Sequence, residues 1–224
     1  MPRSRRHTPG GYVYHVLNRA VTQLTLFKND GDYETFLTVV DEALARHPIR
    51  ILSYCIMPNH WHFVLWPKGD QDVTNFLRWL THTHTMRWHA QHQTTGTGHL
   101  YQGRFKAFPI QQNSHLYSVL RYVERNPLRA GLVKRGEKWR WSSLSHRGEG
   151  KVSKERLSAW PVAVPRDWTA RVNKPQTPEE EEALRRAVNR GTPFGSDAWK
   201  AATAKELELE FTMRARGRPK KLVN

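Results

Sequence analysis

Two histidines two residues apart, His60 and His62, sit in the run Met57-Pro58-Asn59-His60-Trp61-His62-Phe63-Val64-Leu65. In a β-strand residues i and i+2 project from one face, so both imidazoles address a common point. Two neutral imidazoles placed in this way can ligate a divalent cation, and the incomplete coordination leaves a position for a phosphate oxygen. The chain has 12 histidines, so the spacing alone does not decide the matter. His82 and His84 share that spacing but fall in a helical stretch, Asp72 to His92, where i and i+2 neighbours do not face each other. That second pair is expected at a solvated surface or against an anionic ligand.

The surrounding pattern shows what positions the first pair. Pro58-Asn59 marks a tight turn, so Ile49 to Ile56 is expected to fold back as an antiparallel partner strand. Gly11 to Leu17 alternates as a first strand, with Tyr12, Tyr14 and Val16 on one face and Val13, His15 and Leu17 on the other. Asp30 or Asp32 can cap a helix that runs to about Arg46 and is stopped by His47-Pro48. A second helix starts at Asp72, and Arg104 to Ile110 can form a fourth strand, placed at a sheet edge by Pro109. The order strand, helix, strand, strand, helix, strand fits a ferredoxin-like α+β sandwich with an antiparallel sheet.

A further helix is expected from Asn113-Ser114 to Arg125, ended by Asn126-Pro127. Leu116, Val119, Leu120 and Val123 form its apolar stripe. Tyr122 lies roughly 110° from the centre of that stripe, and Asn126 roughly 40° back towards it. The angle places Tyr122 poorly for the core and so makes it a candidate nucleophile. Tyr117, on the opposite flank with no polar partner four residues on, is the weaker candidate.

A formal net charge of +16 and a pI near 10.4 would attract polyanions. Nucleic acid is the expected partner. No membrane partner is expected, since no basic amphipathic helix, long apolar segment or signal-peptide pattern is present, and the location expected is cytoplasmic. The single cysteine, Cys55, leaves no intramolecular disulfide. Between His99 and Arg147 ten Lys or Arg residues stand against two acids. Aromatics are interleaved among them, a composition suited to single-stranded nucleic acid, where cations track phosphates and rings stack on bases.

His60-Trp61-His62, Tyr101-Gln102-Gly103-Arg104-Phe105-Lys106, Tyr122-Val123-Glu124-Arg125-Asn126-Pro127-Leu128-Arg129 and Trp141-Ser142-Ser143, in that order, resemble the single-tyrosine HUH transposases. The likeness is nearest to their REP-associated tyrosine branch and covers about residues 10 to 147. It implies the HUH nuclease fold and a strand transferase that acts on single-stranded DNA at hairpin-forming repeats. Tyr122 would attack a phosphodiester, leaving a 5′-phosphotyrosine and a free 3′-OH. A phenol with a pKa of about 10 needs a positive environment to do so at neutral pH. The resemblance further implies Mg²⁺ or Mn²⁺ held by His60, His62 and Asn126, the last at a position where relatives often carry Gln. Arg104, Lys106, Arg121, Arg125 and Arg129 are the DNA contacts expected in this region.

Residues 1–147 are thus expected to form the nuclease domain, 148–176 a linker, and 177–224 a helical appendage with a basic tail. Thr177-Pro178-Glu179-Glu180 starts a helix with a capping box, Gly191 ends it, and Ser196 caps another that reaches Leu209. Arg216-Gly217-Arg218-Pro219-Lys220 resembles an AT-hook, with Arg216, Arg218 and Lys220 as DNA contacts; a charged tail would have the same composition. Two other functions share the pattern: a non-cleaving DNA- or RNA-binding regulator, and a phosphodiesterase that uses metal-bound water. Monomer and dimer are both open at this level.

Overall fold

A computed structural model of the chain describes residues 8–147 and 156–214. Its centre is a four-stranded antiparallel sheet of order β2-β3-β1-β4, made of β1 (Val13–Arg19), β2 (Arg50–Met57), β3 (His60–Trp66) and β4 (Lys106–Ile110). With α1 (Asp30–Arg46) between β1 and β2, and α2 (Asp72–Gln91) between β3 and β4, this is the ferredoxin-like arrangement the pattern predicts. Pro58 and Asn59 turn β2 into β3, and Pro109 lies on the edge strand. Asn29, rather than Asp30 or Asp32, is the N-cap of α1: it accepts from the Asp32 amide while the Asp32 carboxylate answers back, because a capping box pairs residues three positions apart.

Both faces of the sheet are covered. Tyr14, Val16, Tyr54, Ile56, Trp61 and Phe63 point to α1 and α2, where they meet Phe36, Val40, Phe76 and Leu80. Val13, Leu52, Cys55, Val64, Phe108 and Ile110 point the other way, onto α3 (Ser114–Arg129). His84 belongs to the first of these cores. It is 1% exposed and its Nδ1 lies 2.7 Å from the Tyr101 hydroxyl, which also accepts from Trp61 Nε1. The expectation of a surface role thus fails for His84, since its spacing of four and seven residues from Leu80 and Leu77 puts it on the inward face of α2, and holds in exposure for His82.

The third helix runs four residues further than the proline signal implies. Pro127 has no N–H for the Val123 carbonyl, and Asn126 Nδ2 stands in for it at 3.4 Å while also donating to Tyr122 O at 3.0 Å. The helix then stops where Gly131 takes φ +70° and Leu132 N–H returns to Pro127 O.

After the short α4 (Ser143–Arg147) the described chain resumes at 156, and the described part of the expected linker, 156–176, is packed structure. Trp160, Trp168 and Val172 are buried against α3, the latter two on α5 (Trp168–Asn173). A β-bulge at Leu52 takes its carbonyl out of the ladder, and Trp160 Nε1 donates to it at 2.8 Å, alongside Arg147. Three helices follow: α6 (Pro178–Arg190), α7 (Asp197–Glu206) and α8 (Glu210–Met213). The capping box of Thr177 and Glu180 and the left-handed Gly191 bound α6 as expected. Where the sequence reads one helix to Leu209, Glu208 takes φ +54° and divides α7 from α8.

Candidate active site

β1 and β3 bring three imidazoles together. Leu17 stands opposite His62 and Arg19 opposite His60, so His15, two residues back on β1, lies diagonal to His62 on the same face. His15 Nε2 and His62 Nδ1 are 2.9 Å apart and share one proton. Both rings are essentially fully buried. Burial, reinforced by His60, holds His15 down at about 3; burial, together with His60, His15 and two arginines, holds His62 well below the usual histidine range. His60 is half-buried and lowered to about 4, first by desolvation and then by Arg19 and Arg129. All three are therefore neutral at physiological pH, the form in which imidazole ligates a metal.

Tautomers follow from the partners. His60 Nδ1 donates to Asn59 Oδ1 at 2.6 Å, which leaves the lone pair on Nε2. His62 Nε2 is buried with no hydrogen-bond partner, as is His15 Nδ1. A cation at His62 Nε2 needs a lone pair there, which places the shared proton on His62 Nδ1, donated to His15. The residues thus fit a divalent ion at His60 and His62 with His15 orienting the ring behind it. Among the described residues no three His, Cys, Asp or Glu side chains form a cage, so other coordination positions fall to oxygens from elsewhere.

α3 lays Tyr122 over this cluster. Its ring centroid is 6.0 Å from that of His62, at 90°, and 6.2 Å from that of His15. Tyr122 is 6% exposed, so the angular reading that kept it from the core is corrected: the helix flank beside the apolar stripe rests on the histidine face of the sheet. Arg129, two turns on, sits 4.8 Å over the Tyr122 ring and its Nη2 is 3.4 Å from the hydroxyl. That guanidinium would supply the positive charge required by a phenol acting as nucleophile.

Asn126 is engaged at both ends of its amide. Its Nδ2 is held by the helix backbone, and its Oδ1 accepts from Arg129 Nη2 at 2.8 Å. One lone pair of Oδ1 is used in this way and one remains, so Asn126 supports Arg129 alongside the ligand role expected of it. Arg121 and Arg125 differ from expectation. Arg121 Nη2 donates to the carbonyls of Lys174 and Pro175, and Arg125 Nη1 to those of Val172 and Asn173. Their guanidiniums tie α3 to the end of α5 instead of facing DNA. Tyr117 is likewise occupied, donating to Ala163 O at 2.5 Å. Arg104 and Lys106 are exposed at the start of β4, while Arg216, Arg218 and Lys220 lie outside the described residues.

Sequence reasoning assigned no role to His15, Asn59 or Arg19. The alternation in β1 already placed His15 on a face with Val13 and Leu17; what it lacked was the strand register that sets this face beside His62.

A ferredoxin-like sheet with a His-x-His pair on its central strand, covered by a helix that carries a tyrosine, defines the class of tyrosine transposases. The family model described as "Transposase IS200 like" matches residues 10–126, more than half of the chain, and the chain belongs to this family. A Haemophilus influenzae protein named as a REP-associated tyrosine transposase is 24% identical over 152 residues, which cover 62% of this chain and 83% of that one. The solved structure of a REP-associated tyrosine transposase bound to a REP hairpin aligns with a TM-score of 0.54 at 19% identity. That alignment covers 73% of this chain and 95% of the other, and at this identity it speaks for the fold. No described helix is long and apolar enough to cross a membrane.

Proposed function

We propose that this transposase cleaves and rejoins single-stranded DNA at hairpin-forming repeats through Tyr122. The observation that carries the reading is the convergence of the Tyr122 ring, neutral His62 and the Arg129 guanidinium within one subunit. In the forward step the Tyr122 oxygen bonds to the scissile phosphorus and loses its proton to solvent. The bond from phosphorus to the 3′ oxygen breaks, and that oxygen takes up a proton. Attack by a 3′-OH on the phosphotyrosine reverses the step and rejoins the strand.

Arg129 lowers the cost of charge on the phenol oxygen and on the phosphate that approaches it. His60 and His62 are the residues that would hold Mg²⁺ or Mn²⁺, which when bound polarises the phosphate and stabilises the leaving oxygen. His15 keeps His62 in the ligating tautomer. Arg104 and Lys106 contact the DNA backbone.

The test is a labelled single-stranded hairpin with Mg²⁺, resolved on a denaturing gel. Wild type is expected to give a covalent protein–DNA band and Tyr122→Phe none, while the affinity of the variant for DNA stays within about three-fold, since only one oxygen is lost. An adduct that persists in Tyr122→Phe moves the nucleophile elsewhere. Cleavage without any adduct would establish attack by metal-bound water, and binding without cleavage would establish a regulator.

A further inference from the structure

The three C-terminal helices lie beyond the family match, yet they are bound to the sheet. Phe194 bridges to Ile110 as a parallel neighbour of β4, with its N–H on Pro109 O at 2.9 Å and its carbonyl taking Gln111 N–H at 2.9 Å. Gly191, the cap of α6, comes so near β4 that a Cβ there would stand 3.3 Å from Ala107 O. Between these helices and the sheet run two adjoining cavities of about 390 and 270 Å³, which share Arg104, Lys106, Val188 and Asn189. Each is about the size that takes one compact organic group.

The larger cavity starts at Leu17 and Arg19, the β1 residues paired with His62 and His60, so it opens one strand away from the histidines. Its lining is largely polar and cationic, with Asn18, Gln102 and Asn189 as amides and no acid. The smaller one continues along β4 to α8 and is bounded by Arg190 and Phe211. Phe211 is 56% exposed, an unusual state for phenylalanine. Among the described residues Arg19, Lys106 and Arg190 make no ion pair, and Glu208 is the acid that lines either cavity.

We propose that α6 and α8 form the outer wall of a groove that holds the single-stranded DNA flank leading away from the cleavage point. This rests on the reading of Tyr122 as a DNA nucleophile. Cations without carboxylate partners select a polyanion, which excludes the chain's own basic tail and a second copy carrying the same +16 charge. An exposed ring together with side-chain amides selects bases that are unpaired, because a duplex hides the faces that stack on phenylalanine. Phosphates then follow Arg19, Lys106 and Arg190, and a base rests on Phe211.

The experiment measures binding of the full chain to a hairpin with single-stranded flanks and to the same hairpin cut flush. Arg190→Glu and Phe211→Ala are each expected to weaken the flanked DNA by at least about five-fold, the lower end for one stacked base, and to leave the flush hairpin within about two-fold. The flush arm also reports that the variants are folded. Arg190→Glu should lower the logarithmic salt slope on flanked DNA by about 0.7. Equal affinity of variants and wild type for flanked DNA overturns the groove, and so does the same loss on both substrates. A gain in flank affinity of about five-fold on removing residues 215–224 would place the tail in the groove and overturn it as well. Adduct formation by wild type on the flanked hairpin is scored alongside. Its absence counts against the Tyr122 reading, whereas flank-specific loss in the variants still establishes the groove.

Discussion

At the scale of residues the site depends on which nitrogen carries a proton. His15 and His62 share a single hydrogen at 2.9 Å in a volume closed to water, so altering one ring alters the other. His15→Phe keeps the volume and removes the acceptor, leaving His62 Nδ1–H buried without a partner. Loss of such an orienting partner typically costs a metal site about 10- to 100-fold in affinity, and titration with Mn²⁺ should show a fall in that range. An unchanged affinity would mean that the two rings only pack. Arg129 is the second such support, held in place by Asn126.

At the scale of elements, the position of α3 matters most, because it sets where the Tyr122 oxygen stands. Glu124 fixes it. This fully buried carboxylate accepts from Ser143 Oγ at 2.6 Å, Ser53 Oγ at 3.1 Å, Arg147 Nε at 3.3 Å and Trp168 Nε1 at 2.6 Å. One side chain on α3 thereby ties together β2, α4 and α5. Glu124→Ala strands those donors and is expected to lower stability by about 3 to 5 kcal/mol in urea unfolding. A change under about 1 kcal/mol would show that the donors find other partners.

The same helix shows how far the sequence is legible. Its apolar stripe and the His-x-His strand could be read from period and composition, because each is a local pattern. The order of elements sufficed for the sheet. Burial of Tyr122 was not readable, since it depends on which sheet face α3 crosses. Nor was the fate of Arg121 and Arg125: their carbonyl partners lie some 50 positions away, in the stretch expected to be a linker. Trp160 and Trp168 were the signal there, as two tryptophans in 156–176 argue for packed structure.

For the whole molecule, the buried histidines link stability to pH. His15 and His84 are lowered to about 3 and His60 to about 4, each mainly by burial. Below about pH 6.5 the unfolded chain takes up these protons and the folded chain does not, so stability must fall as pH drops from there towards 4. With three such groups the loss between about pH 7.5 and about pH 5 should reach several kcal/mol, measured by unfolding in chelator-treated buffer. A flat profile over that range would show that the rings are solvated or paired with acids.

One subunit, on this account, carries the whole site: α3 is tied to its own sheet through Glu124 and to its own α5 through Arg121 and Arg125, and Tyr122 rests on its own His62. The most direct measurement mixes Tyr122→Phe with His62→Ala and incubates the mixture with the labelled hairpin and Mg²⁺. The expected result is no covalent adduct and no cleavage at any ratio or concentration, because each subunit lacks a part that its neighbour cannot lend. Recovery of the adduct in the mixture, on the His62→Ala chain, would contradict it and show that the tyrosine helix serves a partner subunit.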